Sequence, residues 1–346
     1  MTKQPIIIDS FKYDESNDYT LLIKNSVGIL NEVFVFLKSW YSTDEKIHQK
    51  TSGSTGDPKI IELSREMMIA SARATCKHFN IVDKSTIHLC LPVDYIAGKM
   101  MLIRAMVSGA RLIVEEPAGS PLKGNRDKIN FCAMTPMQVH GILKEDPTRF
   151  DLVKQLIIGG GTVSNVLNRM LQNLNTLCYS TYGMTETATH VAVKNLNGPR
   201  RSDLFCAIGK TGFSIDERSC LVLTSFHLDI YDLVTNDVVE LADNQAFRWL
   251  GRHDNVINTG GIKVFPEFVE SKLNGQINSN YFICSIPNEE LGEMVVLIVE
   301  GAEQSFTFNS LNKFEEPKQV YFTSKFKYTK TGKIQRELTL RMIIDA

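Results

Sequence analysis

The sequence predicts an α/β protein with a large amino-terminal α/β domain, a small antiparallel β subdomain and a small α+β carboxyl-terminal domain. Three observations predict it. Short apolar runs alternate with helix-periodic stretches between residues 59 and 180, as in folds built on a parallel sheet. From about residue 200 the texture changes to short strands separated by turn residues. Past Gly251-Arg252-His253-Asp254 comes a compact unit of alternating helix and strand patterns. The 346 residues suit two or three domains.

Leu30, Val33, Phe34, Leu37 and Trp40 recur at helical spacing, which predicts a helix over 28–41. Lys59–Leu63 reads as a strand, and Ser64 as the N-cap of a helix running to about Phe79. Strands follow at Ile87–Leu91, Arg111–Val114, Phe131–Met134, Gln155–Ile158 and Leu177–Ser180. Helices at Ile96–Ser108, Pro136–Lys144 and Val163–Gln172 separate them. Ligands of such sheets sit at the carboxyl ends of strands, where Gly159-Gly160-Gly161 and Tyr182–Glu186 fall. The antiparallel region has strands at Leu221–Thr224, Val238–Leu241 and Phe247–Leu250. The last unit, of β-α-β type, has a helix at Pro266–Leu273, strands at Tyr281–Ile286 and Met294–Val299, and a helix after Ile334. The domain boundary is placed at 252–254, giving domains 1–252 and 253–346.

Hydrophobic residues make up 43% and charged residues 22% of the chain, ordinary proportions for a globular protein with a core. A formal charge of −1 gives no ground for a nucleic-acid or membrane-surface partner. Seven cysteines without a C-x-x-C pair fit a reducing compartment better than a disulfide framework or a zinc site. Met1-Thr2-Lys3-Gln4-Pro5 opens no signal-peptide core, and no apolar run approaches a membrane span. The cytoplasm is the expected location.

Four segments carry chemistry when read together. Thr51-Ser52-Gly53-Ser54-Thr55-Gly56-Asp57-Pro58-Lys59 gathers hydroxyls, glycines and a cation, as a polyphosphate cradle requires. It is not the Walker loop, because Pro58 and Ile60 flank the lysine. Tyr182-Gly183-Met184-Thr185-Glu186 supplies an aromatic face for a purine and a carboxylate suited to Mg²⁺. Asp237 can accept from ribose hydroxyls, and Arg252 can donate to the same sugar. Lys333, on the turn Thr331-Gly332-Lys333, can bring a point charge to a phosphate. Each alone has a bland explanation: a solvated loop, a strand–turn, a turn-forming aspartate, surface lysines. Their occurrence together in this order does not.

These segments resemble the motifs of the acyl-adenylate-forming (AMP-binding) superfamily, which includes acyl-CoA synthetases, peptide-synthetase adenylation domains and luciferases. The resemblance runs from about residue 47 to 340. Thr51–Lys59 resembles its phosphate loop, Tyr182–Glu186 its adenine and Mg²⁺ motif, Gly251–Glu270 its hinge motif, and Thr331-Gly332-Lys333-Ile334 the motif of its catalytic lysine. Two departures stand out. Thr235-Asn236-Asp237 replaces the usual Thr-Gly-Asp, and Tyr328–Lys333 lacks the usual proline and serine.

The resemblance implies an AMP-forming acid–thiol ligase that uses ATP, Mg²⁺ and coenzyme A. A carboxylate attacks the α-phosphorus and pyrophosphate leaves; the carboxyl-terminal domain then turns and the thiol displaces AMP. Lys333, Thr185 and Glu186 take catalytic roles, with Glu186 holding the metal. Thr51, Ser52, Gly53, Ser54, Thr55, Gly56, Lys59, Tyr182, Asp237 and Arg252 bind ATP. Asp254 is the hinge of a mobile domain, and Gly260 and Gly261 form the coenzyme A face. Only fifty residues precede Thr51, fewer than is usual in the superfamily. This reduced form, with Leu91–Ala105 and Tyr182–Ala192, is similar to the o-succinylbenzoate–CoA ligases of menaquinone synthesis. By family position Tyr95, Gly98, Gly159, Gly160 and His190 line the acyl pocket. His190, Lys99 or Arg104 can meet a second substrate carboxylate, and the sequence does not choose among them. The alternatives are another acyl- or aryl-CoA ligase, an adenylation enzyme loading a carrier protein, and a non-catalytic nucleotide-binding protein that would be expected to lack Lys333 or Glu186.

Overall fold

The computed structural model describes residues 4–42, 46–50, 60–124, 126–273, 275–328 and 334–344. In chain order these form β1 (Ile6–Ile8), β2 (Phe11–Tyr13), α1 (Tyr19–Asn25), α2 (Gly28–Tyr41), β3 (Lys46–Lys50), β4 (Ile60–Ser64) and α3 (Arg65–Phe79). Next come β5 (Thr86–Leu89), α4 (Ile96–Ser108), β6 (Arg111–Val114), β7 (Phe131–Met134), α5 (Pro136–Glu145) and β8 (Gln155–Ile158). Then follow α6 (Asn165–Leu171), β9 (Leu177–Gly183), β10 (His190–Asn195), β11 (Phe205–Ala207), β12 (Thr211–Ile215), β13 (Cys220–Ser225), β14 (Ile230–Asp243) and β15 (Ala246–Arg252). The chain ends with β16 (Ile257–Thr259), β17 (Ile262–Val264), α7 (Pro266–Lys272), β18 (Tyr281–Asn288), β19 (Gly292–Glu300), β20 (Gln319–Thr323) and α8 (Arg336–Ile344). Two compact units result. One comprises Met1–Gly160, Met170–Gly212 and Thr224–Asp232; the other Gly161–Arg169, Phe213–Leu223 and Leu233–Ala346.

The first unit is the expected α/β layer structure. Its strands run in the order β2-β1-β6-β5-β7-β8-β9-β10-β11. The six from β1 to β9 in that order are mutually parallel, and β2, β10 and β11 join antiparallel. Strands covered on both faces need apolar residues throughout, and Phe131-Cys132-Ala133-Met134 are all buried. From β5 the chain passes to β6 on one side and then to β7 on the other. This reversal makes a switch point at the carboxyl ends of β5 and β7, the place where ligands of such sheets bind. The helix ends follow local chemistry. Ser64 accepts the Met67 N–H and starts α3, and Asn80 closes it in the left-handed conformation at φ 54°. A reciprocal Thr135–Gln138 capping box starts α5.

The antiparallel subdomain expected after residue 200 consists of β12, β13, β14 and β15 in spatial order. In the second unit β17-β16-β19-β18 form a sheet, with β20 on β19. Alternate residues of β19 enter two clusters: Val295, Leu297 and Val299 pack with Val264 and Val269, while Val296 and Ile298 pack with Phe282 and Phe326. The strands expected at 281–286 and 294–299 are present within β18 and β19. These strands form an antiparallel hairpin closing at Asn288↔Gly292. Three residues separate them, whereas a parallel crossover needs about a dozen or more.

Candidate functional site

The switch point lies where β5 ends. Tyr95 is the N-cap of α4 and is 51% exposed. Gly98, one turn in, is buried, and a Cβ there would stand 2.3 Å from the Pro92 carbonyl oxygen. Only glycine lets α4 lie this close to the preceding loop. Gln138 ties together the segments that follow β5 and β6 by donating to Cys90 O (2.8 Å) and Ala118 O (3.1 Å).

Gly159 and Gly160 follow β8, beside Thr181 and Tyr182 of the adjacent parallel strand β9. A Cβ on Gly159 would meet Thr181 Oγ1 at 2.5 Å, and Gly160 has φ +77°. Tyr182 packs its ring against Phe205 with centroids 5.8 Å apart. Gly183 faces His190 across β9 and β10, where a Cβ would come within 2.3 Å of Thr189 O. Thr185 and Glu186 then enter a 3₁₀ turn, with Glu186 exposed. Buried Ala188 has φ 59° and ψ −42°, and Thr189 N donates to Thr187 O at 2.7 Å. This is a γ-turn of the rarer, strained hand, a conformation that persists only where the surroundings enforce it.

The turn delivers Thr189 and His190 to a buried polar cluster. Thr189 Oγ1 lies 3.3 Å from both Arg104 Nη2 and His190 Nδ1, and His190 Nε2 lies 3.2 Å from Thr75 Oγ1. Burial, with the charges of Arg104 and His78 added, holds the His190 imidazole well below its ordinary pKa, so it is neutral. Arg104 is 1% exposed. Its Nη1 reaches Met101 Sδ at 3.5 Å, and its guanidinium lies over the Phe131 ring at 6.0 Å. Burial lowers its pKa to about 10, which leaves it protonated at neutral pH. Among the described residues no carboxylate pairs with it, and its Nε has no hydrogen-bond partner. Lys99 is held elsewhere, with Nζ donating to Gln49 Oε1 at 2.8 Å. Burial lowers its pKa as well. Gln49 stands on β3, two residues before Thr51. The Arg104–Thr189 contact spans 85 residues, and no local motif announces it.

Thr51, Ser52, Gly53, Ser54, Thr55, Gly56, Lys59 and Lys333 lie outside the described residues. Their flanks are placed. Strands β3 and β4 pair antiparallel as far as Lys50↔Ile60, and Tyr328 bridges to Ile334.

In the second unit Asp237 and Arg252 are cross-strand partners on β14 and β15. Trp249 Nε1 donates to Asp237 Oδ1 at 3.1 Å, and Arg252 Nη1 lies 4.0 Å from the same oxygen. Arg252 Nη2 also donates to Asp254 Oδ2 at 3.2 Å. Sequence reasoning missed Trp249, whose register with Asp237 depends on a bulge between Val238 and Val239. Gly260 and Gly261, at φ +57° and +81°, form the two-residue turn between β16 and β17. Two successive positive φ values make it a type I′ hairpin turn, which accounts for both glycines and leaves its tip free of side chains.

Among the described residues no group of three or more His, Cys, Asp or Glu side chains can hold a metal. Among the same residues no helix is long and apolar enough to cross a membrane.

Residues 48–221 match the family described as AMP-binding enzyme. The chain belongs to the AMP-binding enzyme family. To this AMP-binding chain, the acyl-CoA synthetase (AMP-forming)/AMP-acid ligase II-like protein from Dyadobacter fermentans is 34% identical. That likeness has a TM-score of 0.63 and covers 93% of this chain and 98% of the other. The O-succinylbenzoate coenzyme A synthetase of Bacillus subtilis, solved in complex with ATP and magnesium ion, shares the fold. It superposes with a TM-score of 0.70 at 16% identity, over 85% of this chain and 69% of that one. The 2-succinylbenzoate–CoA ligases of Haemophilus influenzae and Salmonella typhimurium are 24% and 25% identical over 78% and 77% of this chain. The chain spans 65% and 62% of the length of those two relatives.

Proposed function

We propose that this AMP-binding chain is an ATP-dependent carboxylate–CoA ligase that adenylates its acid and then forms the thioester, with o-succinylbenzoate as the acid. The observation that carries the choice of acid is Arg104: a buried, protonated guanidinium with no carboxylate partner among the described residues. A buried cation left unpaired is costly, and an acid with a second carboxylate would supply the missing anion. His190 is neutral and would serve as a hydrogen-bonding group, and Lys99 is engaged by Gln49. The names of the succinylbenzoate–CoA ligases among the relatives support the same acid.

In the first step a carboxylate oxygen of the acid bonds to the α-phosphorus of ATP, and the bond from that phosphorus to pyrophosphate breaks. Positioning and charge stabilisation supply most of the acceleration of such a transfer. Tyr182 would face the adenine, and Asp237 with Arg252 the ribose. Thr51, Ser52, Gly53, Ser54, Thr55, Gly56 and Lys59 would hold the departing pyrophosphate. Lys333 would bridge the carboxylate and the α-phosphate, with Thr185 beside them. Mg²⁺, when bound through Glu186, supplies charge neutralisation at the phosphates. In the second step residues 253–346 would turn about Asp254 and bring in the Gly260-Gly261 face. The coenzyme A sulfur bonds to the carbonyl carbon, the carbon–oxygen bond to AMP breaks, and the thiol proton passes to solvent. The product would serve menaquinone synthesis in the cytoplasm.

A second reading, another acyl or aryl acid, is favoured by the 34%-identical structure, whose description specifies no acid. Pyrophosphate release across a panel of acids separates the two. Release with o-succinylbenzoate, at a kcat/KM at least tenfold above fatty, aryl and amino acids, supports the proposal. Turnover of one of those acids without o-succinylbenzoate overturns it.

A further inference from the structure

Arg336 begins α8 and lies three residues beyond Lys333. Its guanidinium meets the Glu270 carboxylate as a two-pronged fork, with Nη1 2.8 Å from Oε1 and Nη2 2.9 Å from Oε2. Nη1 also donates to Ile283 O at 3.2 Å, and the cation lies over the Phe282 ring at 5.6 Å. Glu267 Oε1 stands 3.8 Å from the same Nη1 and accepts from Asn255 Nδ2 at 2.6 Å. Asn255 directly follows Asp254. One network thus runs from the expected hinge through Glu267 to Arg336 and Glu270.

The chain on either side of 329–333 is tied to this anchor. Tyr328 bridges Ile334, Gln335 N donates to Lys327 O at 2.8 Å, and Lys327 N donates to Thr339 Oγ1 at 3.1 Å. Leu340 and Ile343 of α8 pack, partly buried, against the cluster of Phe282, Val296, Ile298 and Phe326. Thr339 is its one buried residue among those described, while Leu338, Met342 and Ile344 are exposed. The fork adds a two-pronged directional contact at the first residue of α8, two residues beyond Ile334.

We propose that Arg336, clamped by Glu270 and steadied by Glu267, is the positioning residue that sets Lys333 for adenylation. This rests on the adenylation reading above. Lysine in place of Arg336 keeps the charge and loses the fork. Small misplacement of a reacting group costs orders of magnitude in rate.

The test measures both half-reactions in Arg336→Lys, with Lys333→Ala as the reference. Adenylation kcat should fall about tenfold to a hundredfold, with the KM for ATP within about twofold. Thioester formation from supplied acyl-AMP should change less than about threefold. Glu270→Gln should show the same split to a smaller degree, and it decides the matter if Arg336→Lys does not fold. Equal loss of both half-reactions, or none, overturns the proposal. If Lys333→Ala itself leaves adenylation intact, the adenylation reading has failed instead. Hydrogen exchange then still tests the anchor. Arg336→Lys, or Glu270→Gln, should speed exchange of the 326–335 backbone at least tenfold while β18 and β19 stay protected. Unchanged exchange there overturns the clamp.

Discussion

Asp237 and Arg252 face each other across β14 and β15, and Asp237 Oδ1 takes the Trp249 Nε1 hydrogen at 3.1 Å with Arg252 Nη1 4.0 Å away. Asp237 is 8% exposed, and these contacts hold its carboxylate in one orientation. Hydrogen bonds to a charged group contribute about 1.5–3 kcal/mol, or roughly 10- to 150-fold in affinity. Asp237→Ala should raise the KM for ATP in acid-dependent ATP–pyrophosphate exchange by that factor. Trp249→Phe removes one orienting donor and should raise it less than about tenfold. An unchanged KM for ATP in Asp237→Ala would remove the ribose role.

Gly98 and Gly183 are fixed by backbone neighbours that cannot withdraw as a flexible side chain would. An added Cβ would stand 2.3 Å from Pro92 O in one case and 2.3 Å from Thr189 O in the other. Overpacking of this kind costs about 1–3 kcal/mol. Gly98→Ala and Gly183→Ala should each lower the urea midpoint accordingly with an unchanged m-value. A midpoint equal to that of the natural protein would contradict the packing.

His190 gives the acid limb of stability a direction. Its pKa in the folded protein is depressed far below the ordinary histidine value, chiefly by burial. Below about pH 6.5 the unfolded chain takes up a proton that the folded chain refuses. The stability contribution is thus complete above that pH and is lost on acidification, by about 1.4 kcal/mol per pH unit while the folded form stays neutral. Urea midpoints at pH 5 and 7.5 should differ less in His190→Gln than in the natural protein. An equal difference would place this proton uptake elsewhere.

Arg104→Met tests the unpaired cation. An apolar side chain of similar length costs little stability where a buried charge lacks a partner, so unfolding free energy should stay within about 1 kcal/mol or rise. Activity with a dicarboxylic acid should fall about a hundredfold in kcat/KM, and with a monocarboxylic acid hardly at all. Equal loss with both acids would deny Arg104 a substrate contact.

What was legible in the sequence followed from local pattern. The spacing of Val33, Phe34, Leu37 and Trp40 gave α2 its bounds, and Ser64 marked the start of α3 through its side chain. The three-residue strands β1, β2 and β11 are too short for alternation to appear. The expected strand at 238–241 is one stretch of a 14-residue β14, because turn-forming residues such as Asp232 break the pattern and not the ladder. Among the expected site residues, Gly159, Tyr182 and Asp237 announced themselves by motif. Their partners did not: Trp249 depends on hairpin register, Thr189 on a strained turn, and Glu270 meets Arg336 across 66 residues. Pairings of that reach are set by tertiary packing, which leaves no mark in neighbouring residues.

Adenylation predicts the fate of one oxygen. With o-succinylbenzoate labelled by ¹⁸O in the carboxyl that becomes the thioester, the α-phosphate should take up one labelled oxygen, released in AMP when coenzyme A attacks. AMP carrying one ¹⁸O, with unlabelled pyrophosphate, is the predicted result. Label in inorganic phosphate with ADP as the nucleotide product would contradict the account.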